Sequence, residues 1–324
     1  MIALQKYRIL GCLVIFQLIV LINIKSQDAH FADILNGNLN ENPSAISAFN
    51  NSFLKLSYRN QWPGAGSTYI TYDAMFNLKV ESLKSNFFII MNRNTEGRDI
   101  IMKNSFGLGY GYFLKVNRYI DITGGFSVNY KIRDVNYSNL NFEDNAALPS
   151  LGENAIHFFD YNIGFTTIIN NQHFCGLAVQ HITQPGYDNS SPEEERLYRK
   201  YMVSYISRIN FGRGFDPYAI ELKPAVFIMY QEPSAMILYG IQAFVRPLNM
   251  GFWLRQNGLK QISAASLLLG TSFEKIEFNY VYDINLLKKQ WVSTKMGAHE
   301  VTFLYKFEYK ERRKKPKAIN CPKL

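Results

Sequence analysis

Cysteine is scarce, long apolar runs are confined to one place, and no catalytic motif is complete. The 324 residues include three cysteines. Cys12 lies in an apolar N-terminal run, Cys175 in an extended apolar stretch and Cys321 near the end. That spacing suits neither a disulfide framework nor a zinc site. Two unrelated thiols are the plain reading of Cys175 and Cys321, and a bridge between them or to a partner is the alternative. The histidines, His30, His157, His173, His181 and His299, never take the His-Glu-x-x-His spacing. Gly125-Phe126-Ser127-Val128 continues to Asn129, where a nucleophile elbow needs glycine. There is no phosphate loop, and Glu193-Glu194-Glu195 reads as solvated surface. No catalytic residue, metal or cofactor is therefore expected, and the chain is not expected to be an enzyme.

The long apolar run is Ile9 to Ile24, preceded by Lys6 and Arg8 and ended by Lys25-Ser26-Gln27-Asp28. A basic start, an apolar centre and a small residue before polar sequence describe a secretory signal peptide, with cleavage after Ser26. An uncleaved anchor is the alternative, but a spanning helix wants ~20 apolar residues and this run is shorter. Cys12 comes too early in the run for a lipoprotein signal. Export changes the meaning of the charge. The formal +9 falls to +6 once Lys6, Arg8 and Lys25 leave. Residues 310–324 carry all of that excess, with Arg312, Arg313, Lys314 and Lys315 at their centre. The high pI therefore belongs to a short tail, and no nucleic-acid partner is expected.

What is abundant is aromatic. Tyr and Phe number 21 and 24, yet mean hydropathy is −0.14. Rings in a chain that is not apolar on average favour strands, whose pleated surface accommodates them. Period-two alternation recurs. Phe106, Leu108, Tyr110, Tyr112 and Leu114 oppose Gly107, Gly109, Gly111 and Lys115. Ile120, Ile122, Phe126, Val128, Tyr130 and Ile132 oppose Asp121, Thr123, Ser127, Asn129 and Lys131. Val301, Phe303, Tyr305, Phe307 and Tyr309 oppose Glu300, Thr302, Lys306 and Glu308. One greasy and one polar face fit a β-sandwich or a transmembrane barrel.

Strand length and turn parity favour the barrel. About fourteen strands are expected: 52–60, 67–77, 86–93, 104–116, 119–132, 158–169, 174–183, 200–210, 217–231, 235–246, 250–257, 262–272, 275–284 and 299–309. Most reach the ~9–11 residues that cross a bilayer at a tilt. With both termini periplasmic, the short connections at 117–118, 170–173 and 247–249 share one side. The long ones at 133–157, 184–199 and 285–298 share the other, as outer-membrane barrels do. The predicted fold is all-β, an antiparallel transmembrane barrel. Its divisions are a signal peptide (1–26), an N-terminal segment that is plug or periplasmic (27–50), the barrel (51–309) and a basic periplasmic tail (310–324).

Two stretches are candidate contact sites. Tyr58, Arg59, Asn60, Gln61 and Trp62 end the first strand before a turn at Gly64–Gly66. Trp62 and the tyrosines suit an interfacial girdle, whereas a guanidinium beside two amides suits a lumenal network that fixes a plug or a bound chain. Gly107, Gly109 and Gly111 clear side chains from the polar face of one strand. Either the N-terminal segment or a cargo tail packs there, or the glycines relieve curvature.

The sequence also resembles a known family. "QDAHFADILNGNLNENPSAIS" (27–47), "YRNQWP" (58–63) with Tyr72-Asp73, "GFWLRQNG" (251–258), "YVYDINLL" (280–287), "GAHEVTFLYKF" (297–307) and "NCPKL" (320–324) are similar to the PorP/SprF family. These are outer-membrane proteins of the type IX secretion system. Where that family usually has Asp-Pro-His-Phe, this chain has Asp28-Ala29-His30-Phe31. The resemblance implies export or surface anchoring of a large adhesin with a type B C-terminal domain, including the adhesins of gliding motility. Alternatively it implies a core subunit bound to periplasmic ring lipoproteins. Partners would then be secretion components or adhesin, with outer-membrane lipid around the barrel, and tail contacts would fall on Arg312, Arg313, Lys314, Lys315 and Cys321. A passive porin or hydrophobic-solute transporter is the rival from another class.

Overall fold

The computed structural model describes residues 30–49, 51–63, 68–97, 99–136, 155–186, 196–212, 220–258, 261–286 and 297–309. The expected signal peptide, the Gly64–Gly66 turn, most of the three long connections and the basic tail lie outside these residues.

Two short helices come first, α1 (Ile34–Glu41) and α2 (Pro43–Ala48). The strands follow: β1 (Ser52–Gln61), β2 (Tyr69–Val80), β3 (Ser85–Glu96), β4 (Ile101–Lys115), β5 (Ile120–Val135), β6 (Ile156–Ile169), β7 (His173–Gln180) and β8 (Lys200–Ser207). Next come β9 (Ile209–Phe211), β10 (Ile220–Gln231), β11 (Ser234–Val245), β12 (Leu248–Asn257), β13 (Gln261–Ser272), β14 (Ile276–Asn285) and β15 (Ala298–Phe307). Every neighbouring pair is antiparallel, and β1 pairs with β15 from Ser52↔Phe307 to Gln61↔Ala298. The sheet therefore closes with no free edge, and backbone groups are paired where lipid offers none. Each expected strand is present.

β8 and β9 are two pieces of one stave, so the barrel has fourteen. Both pair with β10 in a single register, Ala225↔Ile206 and Leu222↔Ile209. In that register Ser207 lies opposite Pro224 and Arg208 opposite Lys223, and Pro224 has no N–H to give the ladder.

Side chains sort by face as the alternation predicts. Leu108, Phe126, Ile163, Leu177, Leu267 and Leu269 are exposed on the outside, while Lys55, Arg59, Asp73, Asn129, Asp160, Asp283 and Glu300 are buried inside. Apolar surface outside and charge inside is the inverse of a water-soluble fold and is what a bilayer requires. Among the described residues no helix is long and apolar enough to cross a membrane. Leu267 sits mid-strand on the outer face. Leu267→Arg should cost ~2–4 kcal/mol in denaturant unfolding from lipid vesicles. A cost near zero would mean that this face does not meet hydrocarbon.

Candidate functional site

The lumen is occupied. Residues 30–48 run through it, and their course follows from local sequence. The Asp33 side chain accepts from the Asn36 N–H at 3.4 Å and starts α1. Asn42 accepts from the Ser44 N–H at 3.0 Å and Pro43 fills the first helical position, which starts α2.

Wall contacts extend around the barrel. Near the start, the Arg255 guanidinium of β12 meets His30. Glu300 of β15 accepts the Ala32 N–H at 2.6 Å and the Asp33 N–H at 2.9 Å. Asn279 of β14 donates to Asp33 at 2.9 Å. Further on, Asn40 donates to Asp73 of β2 and meets Lys55 of β1. Gln180 of β7 donates to the Asn40 and Glu41 carbonyls at 3.1 and 3.0 Å, and Lys200 of β8 pairs with Glu41 at 2.6 Å. Ser44 and Thr166 of β6 bring hydroxyls within 2.6 Å, and Thr123 of β5 donates to the Ser44 carbonyl at 3.0 Å. Apolar contacts fill the gaps. Ile34 joins Met202, Phe227, Met229, Met236, Leu238 and Trp253, and Leu39 and Ile46 join Phe53, Met75, Phe88 and Leu304.

A chain of buried charge holds the start of this segment. Arg59 bridges Asp283 at 2.8 Å and Glu300 at 3.1 Å, and Arg255 reaches Asp283 at 3.1 Å. Buried ion pairs contribute little net stability over apolar packing, yet losing one partner is costly. They fix one arrangement of β1, β12, β14, β15 and the segment.

A glycine track receives α2. A Cβ at Gly125 would stand 2.6 Å from the Pro43 carbonyl, and one at Gly176 would stand 2.9 Å from Asn42 Nδ2. Side chains at Gly111 and Gly164 would overlap Ser47 and Asn42. Four neighbouring strands, β4 to β7, thus each give up one inward side chain so that a helix lies directly on backbone. Among the described residues, small cavities flank the segment. One of about 150 Å³, toward the long connections, touches Phe31, Asn40 and Glu41, and one of about 140 Å³, toward the short turns, touches Leu35, Ala48 and Phe49.

The sequence-predicted residues divide. Arg59 points inward and joins the charge chain. The expectation that Asn60 shares one lumenal network with Arg59 and Gln61 is corrected: consecutive strand residues point to opposite faces, so Asn60 lies on the outer face with Tyr58. Tyr58 packs on Tyr72 with centroids 5.2 Å apart, and Trp62 meets Tyr69 edge-on at 5.3 Å. Of the predicted glycines only Gly111 meets the segment. Gly109 makes room for the Phe88 ring and Gly107 for Asn129. Gly125, Gly164, Gly176, Lys55, Asp283 and Glu300 were not singled out. A pattern was available for the last two, since a carboxylate mid-way along a polar strand face must find a cation. The tail positions Arg312, Arg313, Lys314, Lys315 and Cys321 lie outside the described residues.

Comparison with known proteins places this architecture. Residues 23–305 match the family described as type IX secretion system membrane protein PorP/SprF. The chain belongs to the PorP/SprF family. It is thus a membrane β-barrel of an outer-membrane secretion family, and membership implies association with type IX secretion components. No curated protein matches. Among solved structures this PorP/SprF chain is similar to the P. putida toluene transporter TodX at 6% identity and TM-score 0.49, covering 83% of this chain and 93% of that one. A Pseudomonas aeruginosa FadL homologue matches at 10% identity and TM-score 0.44, covering 82% and 93%. CdiB from Acinetobacter baumannii matches at 8% and 0.43; 79% of this chain is covered, and the chain spans 60% of CdiB.

Proposed function

We propose that this PorP/SprF protein supports export or surface anchoring of an adhesin carrying a type B targeting domain. In this reading residues 30–48 are a plug, the short turns and both termini face the periplasm, and no catalysis is involved. The observation that carries it is the lumen-crossing segment, held by hydrogen bonds to seven or more staves and by a tailored glycine track. An open water-filled channel would leave this space free. A protein that holds or admits another chain can use the filling, because a sealed lumen preserves the membrane barrier until a partner is engaged.

The test combines purification and current recording. Tagged protein drawn from native membranes should bring a large targeting-domain protein or secretion subunits, identified by mass spectrometry, and the isolated barrel should pass almost no current. Recovery alone, with steady conductance or bound apolar solute, would favour the transporter reading. The basic tail is assigned to periplasmic partners. Removing 310–324 should reduce co-purification of those partners and leave the heat-resistant gel mobility of the barrel unchanged. Undiminished co-purification would remove the tail from the interface.

A further inference from the structure

The glycine track has an outer counterpart. On the lipid-facing side of β5, nothing lies within 4 Å of where a Gly124 Cβ would stand. Gly124 floors a furrow of about 760 Å³ that crosses β4 to β8, walled by Tyr112, Phe126, Phe165, Leu177 and Val203. Its lip at Leu114↔Ile122 is one residue pair from Lys115↔Asp121, where β4 and β5 approach their short turn.

Exposed cations gather at that end. Lys84 and Arg118 are both exposed. Backbone bonds hold their turns together: the Phe113 N–H donates to the Lys84 carbonyl at 2.8 Å, and the Asn170 N–H donates to the Tyr119 carbonyl at 2.7 Å. The Arg118 guanidinium lies 4.6 Å from the Tyr119 ring centre. Of the nearby acids, Glu81 faces Lys79 at 3.8 Å, and Asp121 lies on the inward face directly across from Lys115, away from the furrow. The cluster is left with positive charge beside the apolar band, where phosphate headgroups sit.

We propose that the furrow, Lys84 and Arg118 form a binding site for one anionic phospholipid, with an acyl chain lying over Gly124 and the phosphate at the two cations. Hydrocarbon is the medium this face meets, and the furrow walls carry almost no polar surface for a peptide to bond. The cations beyond its lip supply the charge complementarity that selects the headgroup. The site is separate from the lumen and does not depend on the plug reading.

Native mass spectrometry of the full chain, loaded with equal palmitoyl-oleoyl phosphatidylglycerol and phosphatidylcholine, tests this. One phosphatidylglycerol per barrel should be retained preferentially. Each of Lys84→Gln and Arg118→Gln should lower its retention roughly fivefold. Gly124→Leu enters open space, so the barrel should keep its heat-resistant mobility while losing the lipid. Equal retention of both lipids, unchanged retention in Gly124→Leu, or a protein held on this face in place of lipid would each overturn the proposal.

Discussion

Replacing Gly125 with leucine should release residues 30–48 from the wall and make a closed barrel conduct. The new Cβ would stand 2.6 Å from both the carbonyl carbon and oxygen of Pro43, and 2.7 Å from the Ser44 nitrogen. Backbone cannot yield as a flexible side chain does, so α2 must lift. Overpacking of this kind costs about 1–3 kcal/mol. That energy shifts the seated-to-released ratio by roughly 5- to 150-fold. The barrel itself should persist, because its ladder is made by other groups. Planar-bilayer recording should show discrete openings that the wild type rarely shows, and protease should cut near α2. Gly124→Leu, one residue away but on the lipid side, should leave conductance at the wild-type level. If both variants behave alike, the track is not a seat.

Glu300→Ala should be among the most destabilising single changes in the molecule. It leaves the Ala32 and Asp33 N–H groups without an acceptor and removes one of the two carboxylates on Arg59. Breaking a buried ion pair from one side costs about 3–5 kcal/mol, since the remaining charge stays buried. Urea unfolding from vesicles should report a loss of that order. Combining it with Arg59→Met should return part of the loss, because the stranded charge is then gone and the two sites are directly coupled. A single variant within about 0.5 kcal/mol of wild type would show that solvent already satisfies these groups.

Much of the barrel was legible because membrane strands carry a two-valued code. Phe106, Leu108 and Tyr110 on one side and Gly107, Gly109 and Gly111 on the other declare both strand and orientation. Turn parity then counts the staves. The interruption at Arg208 was not legible: 200–210 reads as one strand, and only the pairing puts Arg208 opposite Lys223, beside Pro224. The lumen was less legible, because its contacts join residues far apart in sequence. Nothing near Ala32 announces that Glu300, 268 positions away, accepts its N–H. The glycine track runs across four strands, one residue on each, so no single stretch displays it. Gly107, Gly109 and Gly111 drew notice through their spacing along one strand, whereas the seat was built perpendicular to it. The Arg59-Asn60-Gln61 reading failed for a simpler reason: three adjacent polar residues cannot face one way in an extended chain.

The account stands on residues 30–48 lying against the inner wall of a closed barrel. The most direct measurement places Ser44→Cys and Thr166→Cys in a chain whose Cys175 and Cys321 are serine. The native hydroxyls lie 2.6 Å apart. In intact membranes under mild oxidant the two thiols should join, recovered as one linked peptide pair by mass spectrometry and resistant to maleimide. Two free, readily labelled cysteines in an assembled barrel would contradict it.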